Sequence, residues 1–238
     1  MSASGLTSLS MMPTTNRETW RVDLHAHTFW SSDCLTQYEA LIEMCRQRNI
    51  DVLAITDHNR IEGALELASR RLMPIIVGEE INSTEGEIIG LFISELIPRG
   101  LSPEETIFEI KRQNGIVYVP HPFDRVRRSV IKRDALLRIA DRVDAIETLN
   151  ARIHIPADNI SAIRFAQDRG LAQGGGSDAH IANEVGHAGI EMQPFRDAAT
   201  FRESLATGVI FGGPSSPLVH IASSYAKFRK RYVDRLLR

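Results

Sequence analysis

The chain has 238 residues, of which 43% are hydrophobic and 24% are charged, as in a folded globular protein of one large domain or two small ones. Its formal net charge of −2 gives no overall positive field for nucleic acid. Two cysteines, Cys34 and Cys45, are too few for a disulfide framework or a thiolate zinc site.

The two ends of the chain differ from its middle in composition. Residues 1–19 are rich in Ser and Thr without an apolar run of signal-peptide length, and they predict a loose N-terminal extension. In residues 216–238, the last twelve positions hold six Lys and Arg and one acid, Asp234. We expect a basic helix or tail there, packed on the folded body, either as a solvated face or as a patch for phosphate, RNA or a partner.

Short β-rich runs alternate with helical patterns between these ends. The predicted strands cover 20–24, 52–56, 74–77, 87–93, 116–119, 143–146 and 171–174. The helical patterns lie near 36–49, 61–71, 103–114, 130–142, 157–169 and 198–206. The third of these begins with a cap residue, Ser102, followed by Pro103 and two acids. Strands separated by helices predict a largely parallel sheet, and a single α/β barrel is the simplest architecture.

Imidazoles or carboxylates follow six of the seven predicted strands. The strand ends read Asp23-Leu24-His25-Ala26-His27, Asp57-His58, Glu79-Glu80, His121, Glu147–Asn150 and Asp178-Ala179-His180. His25 and His27 face the same way in an extended segment, since side chains two residues apart share a face. Burying so many ionisable groups together costs several kcal/mol unless a cation balances them. The ends therefore predict a metal site, and nitrogen and oxygen ligands without thiolate suit Zn, Mn or Fe.

The segments DLHAHTFWSSD, LAITDHN, VGEEI, VPHPF, IETLNAR and GGGSDAH occur in this order along residues 20–215. In these motifs the chain resembles the PHP-domain family, the polymerase and histidinol phosphatase family of metal-dependent phosphoesterases. The resemblance implies a single-domain, distorted (β/α)7 barrel of the metallo-dependent hydrolase type. It also implies two or three divalent ions, Zn, Mn or Fe, and hydrolysis by water or hydroxide bound to them.

The resemblance also implies how the ligands are shared among the ions. The first ion is expected to bind His25, His27 and Asp178. The second is expected to bind Asp33, His58 and His180. Glu80 resembles the carboxylate that bridges two ions, and His121 resembles a ligand of a third ion that shares Glu80. Glu87 stands where many three-ion members have a His, and it is either a further ligand or the solvated start of a strand.

Further residues are candidates for supporting and catalytic roles. Asp57 is expected to orient His58 or another imidazole from behind the ligands, or to cap the following turn. His180 or Asp178, or a metal-bound water, would protonate the leaving oxygen. We expect three other residues to bind an anionic substrate: Arg152, Arg125 and His187.

We therefore expect a cytoplasmic phosphoesterase that acts on a small phosphorylated metabolite or a nucleotide. No membrane partner and no stable nucleic-acid complex are expected, and a homo-oligomer is compatible with the sequence. Two other functions stay open: a C–N hydrolase resembling the amidohydrolases, and a non-enzymatic, metal-dependent binding or regulatory module. Because the spacing between the motifs leaves no room for a large insertion, a lid would come from loops, the C-terminal tail or a second subunit.

Overall fold

The computed structural model describes residues 8–216 and 219–233, and in this part of the chain nine strands form one sheet. The strands are β1 (Trp20–Ala26), β2 (Val52–Ile55), β3 (Ile75–Ser83), β4 (Gly86–Leu91), β5 (Ile116–Val119), β6 (Ala145–Asn150), β7 (Ala172–Gly176), β8 (Ala188–Met192) and β9 (Val209–Gly212). The helices are α1 (Tyr38–Gln47), α2 (Glu62–Arg70), α3 (Pro103–Arg112), α4 (Arg133–Ile139), α5 (Pro156–Arg169), α6 (Ala198–Leu205) and α7 (Val219–Phe228), which continues into a π-helical turn, Arg229–Val233.

The sheet curves into a nearly closed barrel. Strands β1 to β7 neighbour one another in chain order, and β8 and β9 lie beyond β1. The pairs β1–β2, β2–β3, β5–β6 and β6–β7 are parallel, whereas β4 is antiparallel to both of its neighbours. The predicted barrel class is confirmed. The prediction of seven strands alternating with helices is corrected in two respects: β8 and β9 are additional, and β3 and β4 form a hairpin without a helix between them.

The barrel closes at the carboxyl end of β7. No β ladder joins β7 to β1 within the described residues, but the amide of Asp178 donates to the His25 carbonyl at 2.7 Å. The amide of His27 in turn donates to the Ala179 carbonyl at 2.9 Å. These bonds hold the segment after β7 against the end of β1, and they bring two polar motifs of the sequence together.

The hydrophobic core is divided between the two faces of the strands. In β2, Val52 and Ala54 belong to the apolar cluster that includes Phe201 of α6, while Leu53 and Ile55 pack with the surrounding helices. This alternation follows from the two-residue period of a strand. The apolar cluster with Phe201 fills one end of the barrel and leaves the carboxyl ends of the strands for polar side chains.

Local sequence signals explain two of the element boundaries. Helix α3 begins at the predicted cap: the Ser102 hydroxyl accepts from the Glu105 amide, and the Glu105 carboxylate accepts from the Ser102 amide. The β3–β4 turn contains Gly86 with φ of +128°, and a Cβ there would lie 2.2 Å from the Ile131 Cα. Only glycine fits this tight turn.

No helix in the described part of the chain combines the length and the apolar character that crossing a bilayer requires.

Two buried tyrosines provide a test of the core. The Tyr118 hydroxyl has no hydrogen-bond partner among the described residues, whereas the Tyr38 hydroxyl accepts from Trp30 Nε1 at 2.9 Å and donates to Glu66 at 3.0 Å. We expect Tyr118→Phe to leave the free energy of unfolding unchanged or to raise it, and Tyr38→Phe to lower it by about 1 kcal/mol. Urea unfolding of both variants measures the difference, and equal destabilisation would contradict it.

Candidate metal centre

All nine residues predicted as metal ligands lie in one cluster at one end of the barrel, where most of the strands have their carboxyl ends. They are His25 and His27 on and after β1, Asp33 in the next loop, His58 after β2, Glu80 in β3, Glu87 in β4, His121 after β5, and Asp178 and His180 after β7. Eight of the nine are buried, and His58 is only partly exposed. Their roles as ligands stay predictions, and the structure gives the geometry on which these roles depend.

A β-bulge in β1 aims the two paired histidines into this cluster. The register of β1 against β2 shifts between Asp23 and Ala26. Leu24 packs in the apolar cluster at the barrel end, and the next residue, His25, already faces the carboxylates. Consecutive residues point to the same side only where the strand pleat is interrupted, as it is in a bulge. The bulge thereby places His25 and His27 above the apolar floor.

Glu80 lies at the centre of the cluster. Its Oε2 is 3.0 Å from His58 Nδ1 and 3.3 Å from His25 Nε2, and its Oε1 is 3.0 Å from His121 Nε2. Asp178 Oδ1 lies 3.3 Å from His27 Nε2. One carboxylate that approaches several imidazoles has the geometry of a bridging ligand.

Asp33 lies at the outer edge of the cluster. Its Oδ1 is 3.4 Å from His180 Nε2 and its Oδ2 is 3.6 Å from His58 Nε2. The three residues predicted for the second ion are therefore in contact.

Among the described residues, four overlapping groups have ligand atoms close enough to hold an ion, within 4.8 Å of one another. They are His25, His27 and Asp178; His25, Glu80 and His121; His58, Glu80 and Glu87; and His27, His58 and His180. The first matches the set predicted for the first ion. Glu87, which sequence reasoning left between a ligand and a solvated strand start, is buried and lies 3.7 Å from His58 Nδ1.

Hydrogen bonds behind the imidazoles orient two of them. His25 Nδ1 lies 3.1 Å from Glu147 Oε1, and His180 Nδ1 lies 2.8 Å from the backbone carbonyl of Asp178. A carboxylate and a carbonyl can only accept, so each Nδ1 carries the proton and each Nε2 presents its lone pair to the cluster.

Asp57 supports the cluster through other side chains. Its carboxylate accepts from the Thr28 amide at 2.7 Å and from the Ser31 hydroxyl at 2.8 Å. Because the Ser31 proton is donated to Asp57, the Ser31 oxygen is an acceptor for His27 Nδ1, 3.1 Å away. Asp57 therefore supports an imidazole only indirectly, through Ser31, and that imidazole belongs to His27. The supporting role of Asp57 stays a prediction.

The charges and the burial of the cluster shift the pKa values of its side chains in both directions. Burial lowers the pKa of His58, but the carboxylates of Glu80 and Asp33 outweigh it and raise this pKa to about 10. Burial raises the pKa of Glu80, yet the imidazoles of His58 and His25 hold it well below its usual value. Burial and neighbouring imidazoles keep the pKa of His27 well below its usual value, which favours the neutral form that binds metals.

Several buried polar atoms in the cluster form no hydrogen bond, although most of them lie within ion-pair distance of a neighbouring side chain. Five of them have no hydrogen bond to any described residue: Asp33 Oδ1, His58 Nδ1, Glu87 Oε2, His121 Nδ1 and Asp178 Oδ1. Leaving such atoms buried and unsatisfied is costly, and a divalent cation removes that cost by taking up their lone pairs. The donor set therefore fits divalent ions.

The three residues predicted to bind substrate lie in different surroundings. A cavity opens above the cluster, as described below. The exposed Arg125 pairs with Asp158 at 2.7 Å and is not among the described residues that line this cavity. His187 lies 3.0 Å from Arg48 Nη1, also away from that lining. Arg152 lines the cavity but is buried. The structure brings neither Arg125 nor His187 to the cluster, and their substrate-binding roles stay predictions.

Sequence reasoning did not single out Arg127 from the arginines beside it, yet Arg127 reaches the cluster. Its Nη1 lies 3.1 Å from His121 Nε2, and its Nη2 donates to the Asp178 carboxylate. Burial raises the pKa of Asp178, but the Arg127 guanidinium and the His25 imidazole hold it well below its usual value. The segment reads Arg125-Val126-Arg127-Arg128, and only the loop geometry distinguishes Arg127 from Arg125.

A cavity of about 1580 Å³ opens above the cluster. Asp33, His58, Glu87 and His180 form part of its floor, and Phe29, Trp30 and Ile97 form an apolar wall. The cationic residues of its lining are Arg60, Arg99, Arg127, Arg152, Lys227 and Lys230. The lining therefore combines positively charged side chains with an apolar wall beside the cluster.

The fold and the donor set together define an α/β barrel protein with a candidate metal centre at one end of the barrel. The chain belongs to the PHP domain family, whose model matches residues 23–142, and a model described as PHP-associated matches residues 156–210. Two uncharacterized proteins of Methanocaldococcus jannaschii are similar in sequence. MJ0417 is 36% identical over 72% of this chain and 70% of its own length, and MJ1587 is 39% identical over 55% and 82%.

Solved structures share the fold at low sequence identity. PsfC from Pseudomonas syringae matches 89% of this chain and 99% of its own, with a TM-score of 0.66 and 18% identity. A two-domain protein of Bacteroides vulgatus containing a predicted PHP-like metal-dependent phosphoesterase matches 85% and 68%, with a TM-score of 0.65 and 18% identity. The lesion-specific endonuclease EndoQ of Pyrococcus furiosus matches 84% and 60%, with a TM-score of 0.59 and 13% identity.

The close packing of Gly176 behind His25 gives a test of the cluster. A Cβ at residue 176 would lie 2.4 Å from the His25 Cβ and 2.7 Å from Glu147 Oε1, whereas a Cβ at Gly213 would meet nothing within 4 Å. We expect Gly176→Ala to displace His25 and to weaken Mn²⁺ binding by about 10- to 100-fold, as losses of ligand support do. Calorimetric titration measures this affinity, with Gly213→Ala as the control. Equal affinities in the two variants would contradict the expectation.

Proposed function

We propose that the protein is a metal-dependent phosphoesterase that hydrolyses a small phosphorylated metabolite or a nucleotide. The observation that carries this proposal is the position of Arg127 beside the buried cluster of imidazoles and carboxylates. A guanidinium next to ion ligands is suited to a phosphate group, because its planar N–H donors match two phosphate oxygens. The cationic lining of the cavity supports the same class of substrate.

The ligand residues have separate tasks in this proposal. His25, His27 and Asp178 would hold one ion, and Glu80 would connect it to a second ion held by Asp33, His58 and His180. His121 and Glu87 would complete a third site that shares Glu80. Zn, Mn or Fe bound there would supply Lewis acidity and a water molecule of lowered pKa. Asp57 and Glu147 would keep His27 and His25 in the orientation that presents Nε2.

Arg127 would act on the substrate while it keeps Asp178 ionised. Its two donor nitrogens now contact His121 and Asp178, and a phosphate bound in the cavity would compete for them. Once bound, the phosphate would accept hydrogen bonds from the guanidinium. The positive charge of this group would stabilise the negative charge that develops in the transition state. His180 stays the proposed proton donor to the leaving oxygen, whereas Asp178, which Arg127 holds in its ionised form, would have no proton to give.

The two other functions considered from the sequence make different predictions in one assay. The full-length protein, incubated separately with Mn²⁺, Zn²⁺ and Fe²⁺, is tested against panels of phosphate esters, nucleotides and amides, and its metal content is measured. We expect phosphate release from at least one ester and none of the amide cleavage that a C–N hydrolase would give. Amide cleavage alone, or a full metal content with no hydrolysis, would contradict the proposal.

Removal of the paired histidines tests whether the cluster is the catalytic centre. We expect the double variant His25→Ala/His27→Ala to lose both bound metal and phosphatase activity, since it removes two ligands of one ion, and to remain folded. Elemental analysis, phosphate release and circular dichroism measure the three properties. Treatment of the unmodified protein with EDTA should reproduce the loss of activity, and added metal should restore it. Full activity in the double variant would overturn the assignment.

Arg127 and Arg125 form a matched pair for testing phosphate binding. We expect Arg127→Gln to lower kcat/KM by about 100- to 1000-fold, the usual cost of removing one donor that stabilises transition-state charge. Arg125→Gln removes the same charge two residues away, but its side chain pairs with Asp158 outside the cavity, so we expect a change of less than about threefold. Steady-state kinetics at equal metal content compare them. Equal losses would contradict the role of Arg127.

A further inference from the structure

Helix α7 lies over the candidate site although it follows the barrel in the chain. Lys227 of α7 and Lys230 of the turn after it line the cavity. The PHP-associated match ends at residue 210, so α7 lies outside both matched segments. The function of this helix therefore has to be inferred from its own contacts.

The two lysines reach different parts of the β1–α1 loop. The Lys230 ammonium donates to the backbone carbonyls of Phe29 and Ser31, which fixes the position of the turn. The Lys227 ammonium lies 3.4 Å from Asp33 Oδ2 at the edge of the cluster, and its side chain is 65% exposed. Lys230 thus anchors the helix end, while Lys227 has a flexible stem within reach of the cavity.

A buried ion pair fixes the other end of α7. Arg152 Nη2 donates to the Val219 carbonyl at 3.2 Å and to the Ser223 hydroxyl at 2.9 Å. Arg152 Nε lies 3.0 Å from Glu184 Oε1, and Glu184 Oε2 accepts from the His180 amide at 2.8 Å. One chain of contacts therefore connects the backbone of His180 to the start of α7.

The charge of α7 complements an anionic substrate. Residues 219–233 contain four Lys and Arg and no acidic residue. Arg127 contacts the cluster at Asp178 and His121, whereas Lys227 approaches it at Asp33. A phosphate group in the cavity would therefore meet cations at two different edges of the cluster.

We propose that α7 forms one wall of the substrate site and that Lys227 binds an oxygen of the substrate's phosphate group. This inference rests on the proposed phosphoesterase function. Arg152 acts as a positioning residue in it, because its contacts with Val219 and Ser223 hold the helix at the distance from which Lys227 reaches the cavity.

The test compares two charge removals on the same segment. Lys227→Gln removes an ammonium beside Asp33, and Arg231→Gln removes a guanidinium whose side chain is exposed and contacts the Tyr232 ring. In the Mn²⁺-loaded full-length protein, calorimetry measures the Kd of inorganic phosphate, and 4-nitrophenyl phosphate hydrolysis gives KM and kcat. We expect Lys227→Gln to raise the phosphate Kd and the KM about tenfold, the effect of losing one charge-assisted hydrogen bond.

Three further results decide the inference. Lys227→Arg should retain phosphate affinity within about threefold, since a cation remains in reach. Unchanged phosphate affinity in Lys227→Gln, or an equal loss in Arg231→Gln, would overturn it. A fall in bound metal in Lys227→Gln would also overturn it, because Lys227 would then act on the ligand Asp33 rather than on phosphate.

The two readouts separate this inference from the proposed function. Phosphate that binds to the unmodified protein and is lost in Lys227→Gln, with no ester hydrolysed by either, would support the role of Lys227 and contradict the phosphoesterase proposal. Ester hydrolysis that Lys227→Gln leaves unchanged would support the phosphoesterase proposal and contradict the role of Lys227. If the metal-loaded protein does not bind inorganic phosphate at all, the inference fails.

Discussion

The burial of Glu80 among imidazoles is the constraint on which the rest of the site depends. A carboxylate that is removed from water has to be balanced by positive charge, and here His25, His58 and His121 surround it within 3.3 Å. Each imidazole comes from a different strand end, so the charge balance requires the barrel geometry. The apolar cluster below supplies the rigid floor, and the polar residues behind the imidazoles supply their orientation.

Much of the site could be predicted because its ligands follow strands that have clear sequence signals. Apolar runs located β1 to β7, and the order of polar residues after them indicated one edge of a barrel. Strands β8 and β9 were missed because Ala188–Met192 and Val209–Gly212 are short, and the first contains Gly189 and Glu191. The pairing of β8 with β1 and of β9 with β8 depends on tertiary contacts, which local propensity does not carry.

The arginines show where sequence reasoning reaches its limit. Arg125 and Arg127 are separated by one residue and share one loop, yet one pairs with Asp158 on α5 and the other with Asp178 in the cluster. Arg152 is predicted to bind substrate and does line the cavity, and its contacts are with Glu184 and the start of α7. Residue type indicates that positive charge is needed, but the side chain's partner is decided by loop conformation and by an element almost seventy residues further along the chain.

The incomplete closure of the barrel would couple folding to ion binding at the proposed metal site. Where a ladder between β7 and β1 would complete the cylinder, the seam is held by backbone bonds around Ala179 and by Ser177 bonded to Asp23. An ion bound by His25, His27 and Asp178 would take ligands from both sides of that seam, which are about 150 residues apart in the chain. Such a cross-link favours the folded state by mass action, so the thermal stability of the protein would rise with the concentration of its metal.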